Sequence, residues 1–504
     1  MSAIVKQNNK HIVRTSLILM FLLVITISCD DNFEEINTNP NALTEIDPEY
    51  LFSNGTYQTL RGSCNTSIQF PFGSQFGHIY VGRNNALFID RYYDYFEDSE
   101  YQSNFNNFYF GPIRLLEECM RLTMPGGEAE NGVRHALAKM MAIVNYARLA
   151  DSYGSIPYAE GGKGETGLVT PSYDPVEVIY TTMMEELDAI INILSTASPA
   201  QAFPGADPLY NNDLEQWTRF ANSFRLRLAM RARFADPELA EPIILECLQG
   251  LLIEENSQNA WYRNIDSEVT EFSNPIFNHY DYWQWGMSEF FVESLKTIQD
   301  PRLGVFVKPN ENGEYIGIPN GLEDQKLAEW GDWSEVSTPT DTLVGRAAPI
   351  YQMAAAEIWF LRAEAALFGI SGEDSNVLYQ TGLRRSLEQW TVHPDSIDSY
   401  LAGNATATLS GTQEEQFEQI GTQLWISFMS NEVEGWSSIR RTGYPVIARR
   451  LAPDFSLGVS DGELPKRLKY PVTETNINKN NNMQAVEEQG PDLITTPLWW
   501  DIRD

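Results

Sequence analysis

Residues 133–154 read VRHALAKMMAIVNYARLADSYG, and the spacing of apolar residues in this stretch decides the fold class. These residues recur every three or four positions, which places them along one side of an α-helix. They are Val133, Leu137, Met140, Val144 and Ala147. Gly154 and Pro157 then interrupt the pattern, because both residue types commonly end helices. The stretch therefore predicts an amphipathic helix that ends at Gly154.

Similar patterns follow towards the C-terminus. Asp174 is a candidate N-cap, Pro175 suits the first helical position and Glu177 would complete a capping box, which predicts a second helix. Further helices are predicted over about 213–234, 237–250, 351–368, 376–391 and 413–430. Paired helices with short connections favour α-hairpins that stack as in helical-repeat proteins. The predicted fold class is therefore mostly α.

Three long stretches lack helical periodicity. Residues 60–125, 255–350 and 453–504 are rich in turn-forming residues, and the first two also in aromatic residues. Loops of this length within a compact protein are usually functional. The sequence thus predicts a helical scaffold from which long irregular loops extend to form a ligand-binding surface.

The N-terminus has the pattern of an export signal. Residues 1–16 carry three basic residues and no acidic one, and residues 17–27 form the apolar run LILMFLLVITI. This run is shorter than the about 20 residues that a spanning helix requires, so a signal peptide is predicted. The alternative is a buried N-terminal helix, which the acidic residues after Cys29 disfavour.

Ser28 and Cys29 at the end of this apolar run resemble a lipobox, the signal for lipidation of a bacterial lipoprotein. Thr26 stands where Leu is usual, so cleavage as an ordinary secretory signal stays an alternative. We therefore predict a signal peptide over 1–28, a lipid-anchored tether over 29–45 and a single domain over 46–504.

Charge and cysteine content narrow the function classes. The chain has 35 basic and 69 acidic residues, a net charge of −34. Such a surface disfavours nucleic acid and anionic lipid, and it suits a neutral or cationic ligand. The cysteines of the mature chain beyond Cys29 are Cys64, Cys119 and Cys247, without a Cys-x-x-Cys motif. In an oxidising compartment one pair could form a disulfide, and the sequence does not select which.

Two motifs match catalytic patterns by letter alone. GVSDG at 458–462 lacks the strand and helix that must flank a nucleophile elbow, since Pro465 follows closely. GKGETG at 162–167 lies between prolines rather than between a strand and a helix. The five histidines show no metal-ligand spacing, so neither a cofactor nor a metal is predicted. A glycosidase needs only two carboxylates, and an acidic chain always offers such a pair.

The densest aromatic cluster is FNHYDYWQWGMSEFF at 277–291. Aromatic faces surrounded by amides and carboxylates suit sugar rings, because the apolar face of the ring stacks while its hydroxyl groups find hydrogen-bond partners. In an extended segment Trp283 and Trp285 would share one side. The candidate ligand residues are therefore Tyr280, Tyr282, Trp283 and Trp285. The alternative is that these rings fill the core beneath a long loop.

Two further aromatic clusters add candidates. Residues 76–110 contain twelve aromatic residues, and Asn84 and Tyr93 are the candidate ligand residues there. The segment AEWGDWSE at 328–335 is polar apart from Trp330 and Trp333, which makes both tryptophans candidates for ligand or partner contact.

Several segments together resemble the SusD/RagB family of outer-membrane nutrient-binding lipoproteins, specifically its SusD-like branch. They lie in the family's order and cover most of the chain. They are CDDNFEEINTNPN (29–41), DSYGSIPYAE (151–160), WTRFANSFRLRLAMRAR (217–233), YQMAAAEIWFLRAEAAL (351–367), TQLWISFMSNEVEGWSSIRRTGYPVIA (422–448) and KRLKYPVTETNINKN (466–480). In these segments the arginines are predicted to pair with acidic residues near helix ends and turns.

The resemblance implies a fold of tetratricopeptide-like helix pairs, with lipid on Cys29 anchoring the protein to the outer face of the outer membrane. It also implies a partner, a SusC-type TonB-dependent transporter, to which the protein delivers captured glycans or peptides. The segment 277–291 holds no Lys or Arg, which favours a neutral glycan over an anionic one. The alternatives are a peptide-binding lipoprotein of the RagB type and a glycoside hydrolase. The ligand residues rest on their chemistry, because the family's loops differ between members.

Overall fold

The computed structural model describes residues 46–61, 68–82, 89–92, 102–164, 167–270, 272–277, 280, 285–330 and 333–503. Residues from Pro48 onwards belong to one compact unit. The predicted signal peptide and tether lie outside the described residues.

Helices dominate the described chain, as predicted, and most of the regular structure is α. In chain order they are α1 (Pro48–Arg61), α2 (Ser74–Phe76), α3 (Gln102–Phe108), α4 (Arg114–Thr123), α5 (Gly132–Tyr153), α6 (Val176–Ser195), α7 (Leu214–Ala232), α8 (Pro237–Gln249), α9 (Glu289–Thr297), α10 (Leu303–Phe306), α11 (Asp324–Glu329), α12 (Asp341–Val344), α13 (Ala355–Leu367), α14 (Ser375–Gln389), α15 (Pro394–Gly403), α16 (Gln413–Ser427), α17 (Glu432–Thr442), α18 (Val472–Ile477) and α19 (Lys479–Gln489).

In the part of the chain that the structure describes, six short strands form three antiparallel two-stranded ribbons. The strands are β1 (Tyr80–Val81), β2 (Ala260–Tyr262), β3 (Gly286–Met287), β4 (Val307–Lys308), β5 (Thr338–Pro339) and β6 (Ile350–Met353). The ribbons pair β1 with β3, β2 with β6 and β4 with β5. Each ribbon therefore joins segments that are far apart in sequence.

Helix α5 confirms the prediction from its apolar spacing. The side chain of Asn131 accepts hydrogen bonds from the backbone N–H groups of Val133 and Arg134, both at 3.1 Å, and so caps the helix. The helix ends at Gly154, whose φ of 90° lies in the region that favours glycine.

The predicted cap of the next helix is wrong. Helix α6 begins at Val176, with Pro175 at the N-cap position and no side-chain cap. The carboxylate of Asp174 instead accepts the backbone N–H groups of Tyr158 at 3.0 Å and Ala159 at 2.9 Å. Asp174 thus fastens the loop after α5 to the start of α6, and its oxygens are not available to the helix.

The stretches predicted to be irregular contain several helices. The segment 351–368 also begins as strand β6, because residues 350–353 pair with β2 before α13 starts. Helices α3, α4, α9, α18 and α19 all lie in these stretches. The apolar spacing of α4 was overlooked, because Leu115, Leu116, Cys119, Met120 and Leu122 are buried along one side of that helix. Short helices without such spacing depend on tertiary packing.

Consecutive long helices pack against each other. The packed pairs include α5 with α6, α6 with α7, α7 with α8, α13 with α14 and α16 with α17. This arrangement confirms the predicted helix-pair scaffold, and its apolar side chains merge into one large buried cluster.

Ion pairs buried at the centre of the scaffold join its helices. The Arg227 guanidinium on α7 binds both carboxylate oxygens of Glu357 on α13, at 2.5 and 2.6 Å. Arg231, one turn further along α7, binds Asp151 on α5 and Glu434 on α17. All five side chains are at most 7% exposed. The predicted pairing of arginines with acidic residues near helix ends is confirmed for Arg231, because Asp151 and Glu434 also lie in the last or first turn of their helices. The structure adds that these pairs are buried in the core.

The electrostatic state of this centre is set by the arginines. Burial raises the pKa of Glu434, but the charges of Arg227 and Arg231 together lower it by more. Its pKa is therefore about 2. Because Glu434 stays ionised, each buried charge in the centre faces an opposite charge, as low-dielectric surroundings require.

Candidate ligand-binding site

The ribbon of β1 and β3 brings two of the predicted aromatic clusters together. Tyr80 pairs with Met287, and Val81 pairs with Gly286. The backbone N–H of Ser288 donates to the carbonyl of Ile79 at 3.0 Å and extends this pairing. The segments 76–82 and 285–291, which belong to different aromatic clusters in the sequence, are therefore neighbours.

The chain that precedes the third aromatic segment forms hydrogen bonds with the same ribbon. Ile318 donates its backbone N–H to the carbonyl of Met287 at 2.8 Å, and Glu289 donates to Ile318 at 2.8 Å. The amide of Asn320 donates to the carbonyl of Tyr80 at 3.0 Å and accepts from the Ser288 hydroxyl at 2.6 Å. We call this assembly of residues 76–92, 280–291, 316–340 and 446–462, in its described parts, the loop face.

Trp330 and Trp333 lie on the loop face. Both are half-buried and pack against a small apolar cluster of Val81, Ile318, Leu322 and Val336, together with Phe455. Trp330 ends the short helix α11. The structure therefore places both predicted residues beside strand β1.

Trp285 occupies a different environment. It is 1% exposed, and its ring meets that of Tyr80 edge-on with centroids 6.3 Å apart. Tyr280 is half-buried against a second apolar cluster, which contains Tyr80 and Trp285. The burial of Trp285 favours the alternative that this ring fills the core. Tyr282, Trp283, Asn84, Tyr93 and Cys29 lie outside the described residues.

Arg450 interlocks the segments of the loop face. Its guanidinium donates to the backbone carbonyl of Asp90 and lies 3.9 Å from the centroid of the Tyr92 ring. A Cβ atom at Gly321 would overlap the same guanidinium, and Gly321 has a φ of 76°. Glycine at this position therefore allows the loop 318–324 to approach Arg450.

Further contacts close this junction. The carboxylate of Asp90 accepts the backbone N–H of Gly321 at 2.8 Å, and the carbonyl of Tyr92 accepts that of Val459 at 2.9 Å. His78 and Tyr92 both have positive φ values, 54° and 59°. Such values are costly for these residue types, and neighbouring structure must hold them in place.

Burial controls the protonation states at the junction. Nε2 of His78 lies 3.4 Å from the Tyr92 hydroxyl and 3.5 Å from Arg450. Burial, followed by the charge of Arg450, lowers the pKa of His78 well below its usual value. The imidazole is therefore neutral at physiological pH and can accept a hydrogen bond from the guanidinium. Burial raises the pKa of Asp90, and its charged neighbours oppose that shift.

Cations on the loop face are largely neutralised. Arg91, 5% exposed, pairs with Asp324 at 2.6 Å. Lys326 lies 3.3 Å from Glu329 and 3.5 Å from Asp454. These pairs leave the described part of the face without a convergent set of unpaired cations for an anionic ligand.

Other groups considered for chemistry have structural partners. The Ser460 hydroxyl is buried and donates to the carbonyl of Glu463 at 2.7 Å, and Ser460 follows a turn rather than a strand. Cys247 is a buried free thiol, and Cys64 lies outside the described residues. Among the described residues no cluster of His, Cys, Asp and Glu has the arrangement of a metal site. In the same part of the chain no helix could cross a bilayer.

Arg450 was not among the predicted site residues, because it lies in no catalytic motif and in none of the aromatic clusters. One available signal was the recurrence of glycine in the contacting segments, at Gly321, Gly458 and Gly462, all of which have positive φ values. Glycines at such positions mark close backbone approach.

A family model of SusD-like proteins, described as starch-binding and associating with the outer membrane, matches residues 40–471. Among solved structures, the chain is similar to a chitin-binding protein at 25% identity and a TM-score of 0.79, with 91% of this chain and 100% of that chain covered. It is similar to a chitin-binding SusD homolog from Flavobacterium johnsoniae at 24% identity and a TM-score of 0.79, over 91% and 99% of the two chains. A SusD homolog from Bacteroides uniformis gives 24% identity and a TM-score of 0.76, over 91% and 100%. A comparison with curated proteins gives no match.

Proposed function

The chain belongs to the SusD-like family, described as starch-binding and associating with the outer membrane, and from this membership we propose that it is a non-enzymatic glycan-capture lipoprotein. In this proposal the protein binds a neutral oligosaccharide or polysaccharide at the cell surface and delivers it to a SusC-type TonB-dependent transporter. Lipid on Cys29 anchors it to the outer membrane.

One observation carries the proposal. The β1–β3 ribbon joins two aromatic-rich segments of the sequence, and Trp330 and Trp333 of the third segment pack against the apolar cluster that contains Val81 of β1. Trp330 and Trp333 are partly exposed there. A sugar ring can stack on such rings while carboxylates and amides on the face bind its hydroxyl groups.

The charges of the face support a neutral ligand. Arg91 and Lys326 are paired with carboxylates, and Arg450 is buried in the junction. A uronate or sulfated sugar would require cations that are free to form charge-assisted hydrogen bonds. The similarity to chitin-binding structures makes N-acetylated β-linked sugars, alongside starch fragments, the first probes to test.

The test is calorimetric titration of the purified chain from residue 46 onwards with maltoheptaose, N-acetylchitohexaose, an oligogalacturonate and a mixture of random peptides. We expect one neutral sugar to bind and the oligogalacturonate and peptides not to bind. Trp283→Ala and Trp330→Ala should each weaken binding by about tenfold or more, as expected for stacked aromatic hot spots.

Trp359→Ala is the matched control. Trp359 is also half-buried, but it lies on α13 and its indole N–H donates to the carbonyl of Glu254 at 2.9 Å. This variant should bind sugar like the wild type. Binding of peptides but no sugar would replace the proposal with the peptide-capture alternative, and sugar hydrolysis during incubation would replace it with a hydrolase.

Membrane anchoring and the transporter partnership need separate experiments. Protein purified from membranes should carry a diacylglycerol-modified Cys29, and Cys29→Ala should be released from the membrane. Cross-linking on intact cells should connect the wild-type protein to a TonB-dependent transporter that mass spectrometry identifies. An unmodified Cys29 in membrane-purified protein would contradict the proposed anchor.

A further inference from the structure

An aromatic pair outside the predicted clusters lies on the ribbon of β2 and β6. Trp261 pairs in register with Tyr351, and their rings stack with centroids 5.8 Å apart and planes inclined by 24°. Both residues are half-buried. The two rings therefore form a stacked aromatic pair on a short strand ribbon rather than on a long loop.

An irregularity in the ribbon lies directly before Trp261. The register of the ribbon shifts between Ala260 and Trp261, because Ala260 pairs with Met353 whereas Trp261 pairs with Tyr351. Bulges redirect side chains and are over-represented next to binding sites. Ala260 is buried, whereas Trp261 beside it is partly exposed.

Packing does not account for Trp261. Tyr262, its neighbour on the opposite side of the strand, packs against the main apolar cluster, and Tyr351 packs against the second one. Trp261 belongs to none of the apolar clusters of the described residues, and Tyr351 is its one aromatic contact there. Trp261 is therefore a partly exposed aromatic side chain that does not belong to an apolar cluster of the described residues.

The polar tips of the pair are also unused. Neither the indole N–H of Trp261 nor the hydroxyl of Tyr351 has a hydrogen-bond partner among the described residues. Four other tryptophans donate their indole N–H groups to protein oxygens at 2.8 to 2.9 Å, namely Trp217, Trp359, Trp425 and Trp436. The indole N–H groups of Trp390 and Trp500 also have no partner among the described residues, but both are buried.

The support beneath the pair is rigid and continuous with the loop face. The ring of Tyr351 meets that of Trp390 edge-on at 5.6 Å, and its backbone N–H donates to the Ser430 hydroxyl at 3.2 Å. Tyr351 packs against the apolar cluster that also contains Tyr80 and Trp285. Binding groups on strands are held more precisely than those on loops.

We infer that Trp261 and Tyr351 form a further sugar-binding subsite, in which the exposed face of the Trp261 ring stacks on one pyranose ring of the captured neutral glycan. The indole N–H and the tyrosine hydroxyl are the two groups that meet hydroxyls of that sugar. This inference rests on the proposed function, and it adds a binding position outside all three aromatic clusters recognised in the sequence.

Burial raises the pKa of the Tyr351 hydroxyl to about 12, so it stays protonated at physiological pH. A protonated phenol both donates and accepts, whereas the indole N–H only donates. Together they suit a vicinal pair of sugar hydroxyls, which present both functions.

The first test titrates Trp261→Ala with whichever neutral probe, maltoheptaose or N-acetylchitohexaose, binds the wild type. We expect about tenfold weaker binding with unchanged circular dichroism. Tyr262→Ala is the matched control, because Tyr262 lies on the other side of the same strand, 5.9 Å from the ring of Tyr57. It should bind the probe like the wild type.

A second measurement does not depend on the folding of a variant. Wild-type protein is oxidised with N-bromosuccinimide with and without the probe, and modified tryptophans are mapped by mass spectrometry. The probe should protect Trp261 and leave the oxidation of Trp359 unchanged. Unprotected Trp261 or wild-type affinity in Trp261→Ala would overturn the inference and leave the proposed function intact. Failure of the wild type to bind either probe would instead overturn the proposed function and this inference with it.

Discussion

The scaffold and the loop face use buried arginines in opposite ways. In the scaffold, Arg227 and Arg231 bind carboxylates on three other helices. On the loop face, Arg450 meets a backbone carbonyl, an aromatic ring and a neutral histidine. Carboxylate pairs fix helices that have their own regular hydrogen bonds, whereas Arg450 holds segments that have few.

This difference separates the two tasks of the molecule. The buried polar groups of the scaffold bind one another, so few of them can bind a ligand. The loop face satisfies its backbone through Arg450, Asn320 and Asp90, and it leaves parts of the Trp330 and Trp333 rings uncovered. Variants of the scaffold and of the loop face should therefore differ in their free energy of unfolding and in their affinity for sugar.

Breaking the scaffold network should have the largest effect on stability. Arg231→Met leaves Asp151 and Glu434 buried without their shared partner, and removing one member of a buried pair costs about 3–5 kcal/mol. Urea unfolding monitored by circular dichroism measures the loss. Arg219→Met on the same helix is the control, because its partner Glu215 is 63% exposed and such pairs contribute about 1 kcal/mol or less. Equal effects of the two changes would refute the central role of the network.

Trp285 and Trp330 should respond differently to truncation. Trp285→Ala removes a ring that is 1% exposed, and such core truncations cost about 3–5 kcal/mol. Trp330→Ala removes a half-buried ring and should destabilise less while weakening sugar binding more. Parallel urea unfolding and calorimetric titration of the two variants measure both quantities. If Trp285→Ala kept its stability and lost affinity, Trp285 would be a ligand residue after all.

Glu432 lies at the start of α17, where the scaffold meets the loop face. Ionisation of its carboxyl group should lower the free energy of unfolding as pH rises. Burial raises its pKa from the usual 4.5 to about 7, and its Oε2 has no partner among the described residues. Between these two values the folded chain binds more protons than the unfolded chain, so the free energy of unfolding falls as pH increases.

Glu432→Gln removes this dependence and should stabilise the protein by about 3 kcal/mol at pH 8, with little effect at pH 4.5. Urea unfolding of the wild type and the variant at both pH values measures the difference. A variant that is no more stable than the wild type at pH 8 would show that the carboxyl ionises freely.

Arg450→Met should have the smallest effect on the helices and a clear effect on the ligand. Without the guanidinium, the segments around Asp90, Tyr92 and Gly321 lose their common partner, so about tenfold weaker sugar binding is expected, about 1.4 kcal/mol. Arg449→Met is the matched control, because Arg449 is 45% exposed and pairs with Asp461 on the surface. Calorimetric titration should distinguish the two neighbours, and equal affinities would show that Arg450 does not organise the face.

The same division explains what the sequence could predict. The long helices followed from apolar spacing, since packing on one side imposes a period of about 3.6 residues. The cap at Asp174 failed because its carboxylate binds Tyr158 and Ala159 from the preceding loop, a long-range choice that local spacing cannot encode.

The loop face was predictable in kind but not residue by residue. Aromatic density identified the segments that meet there, but it could not separate Trp285 in the core from Trp330 at the surface. The pair Trp261 and Tyr351 escaped notice because the two residues are 90 positions apart and meet only through ribbon pairing. Composition finds clusters along the chain, whereas binding surfaces form between distant segments.

Hydrogen–deuterium exchange of the wild type with and without the bound neutral sugar tests whether the loop face captures the ligand. We expect slower exchange in residues 76–82, 260–262, 285–291, 316–330 and 446–462, with no change in scaffold helices such as α7 and α13. Protection centred on the scaffold helices, or on none of these segments despite measurable binding, would contradict the assignment of ligand capture to the loop face.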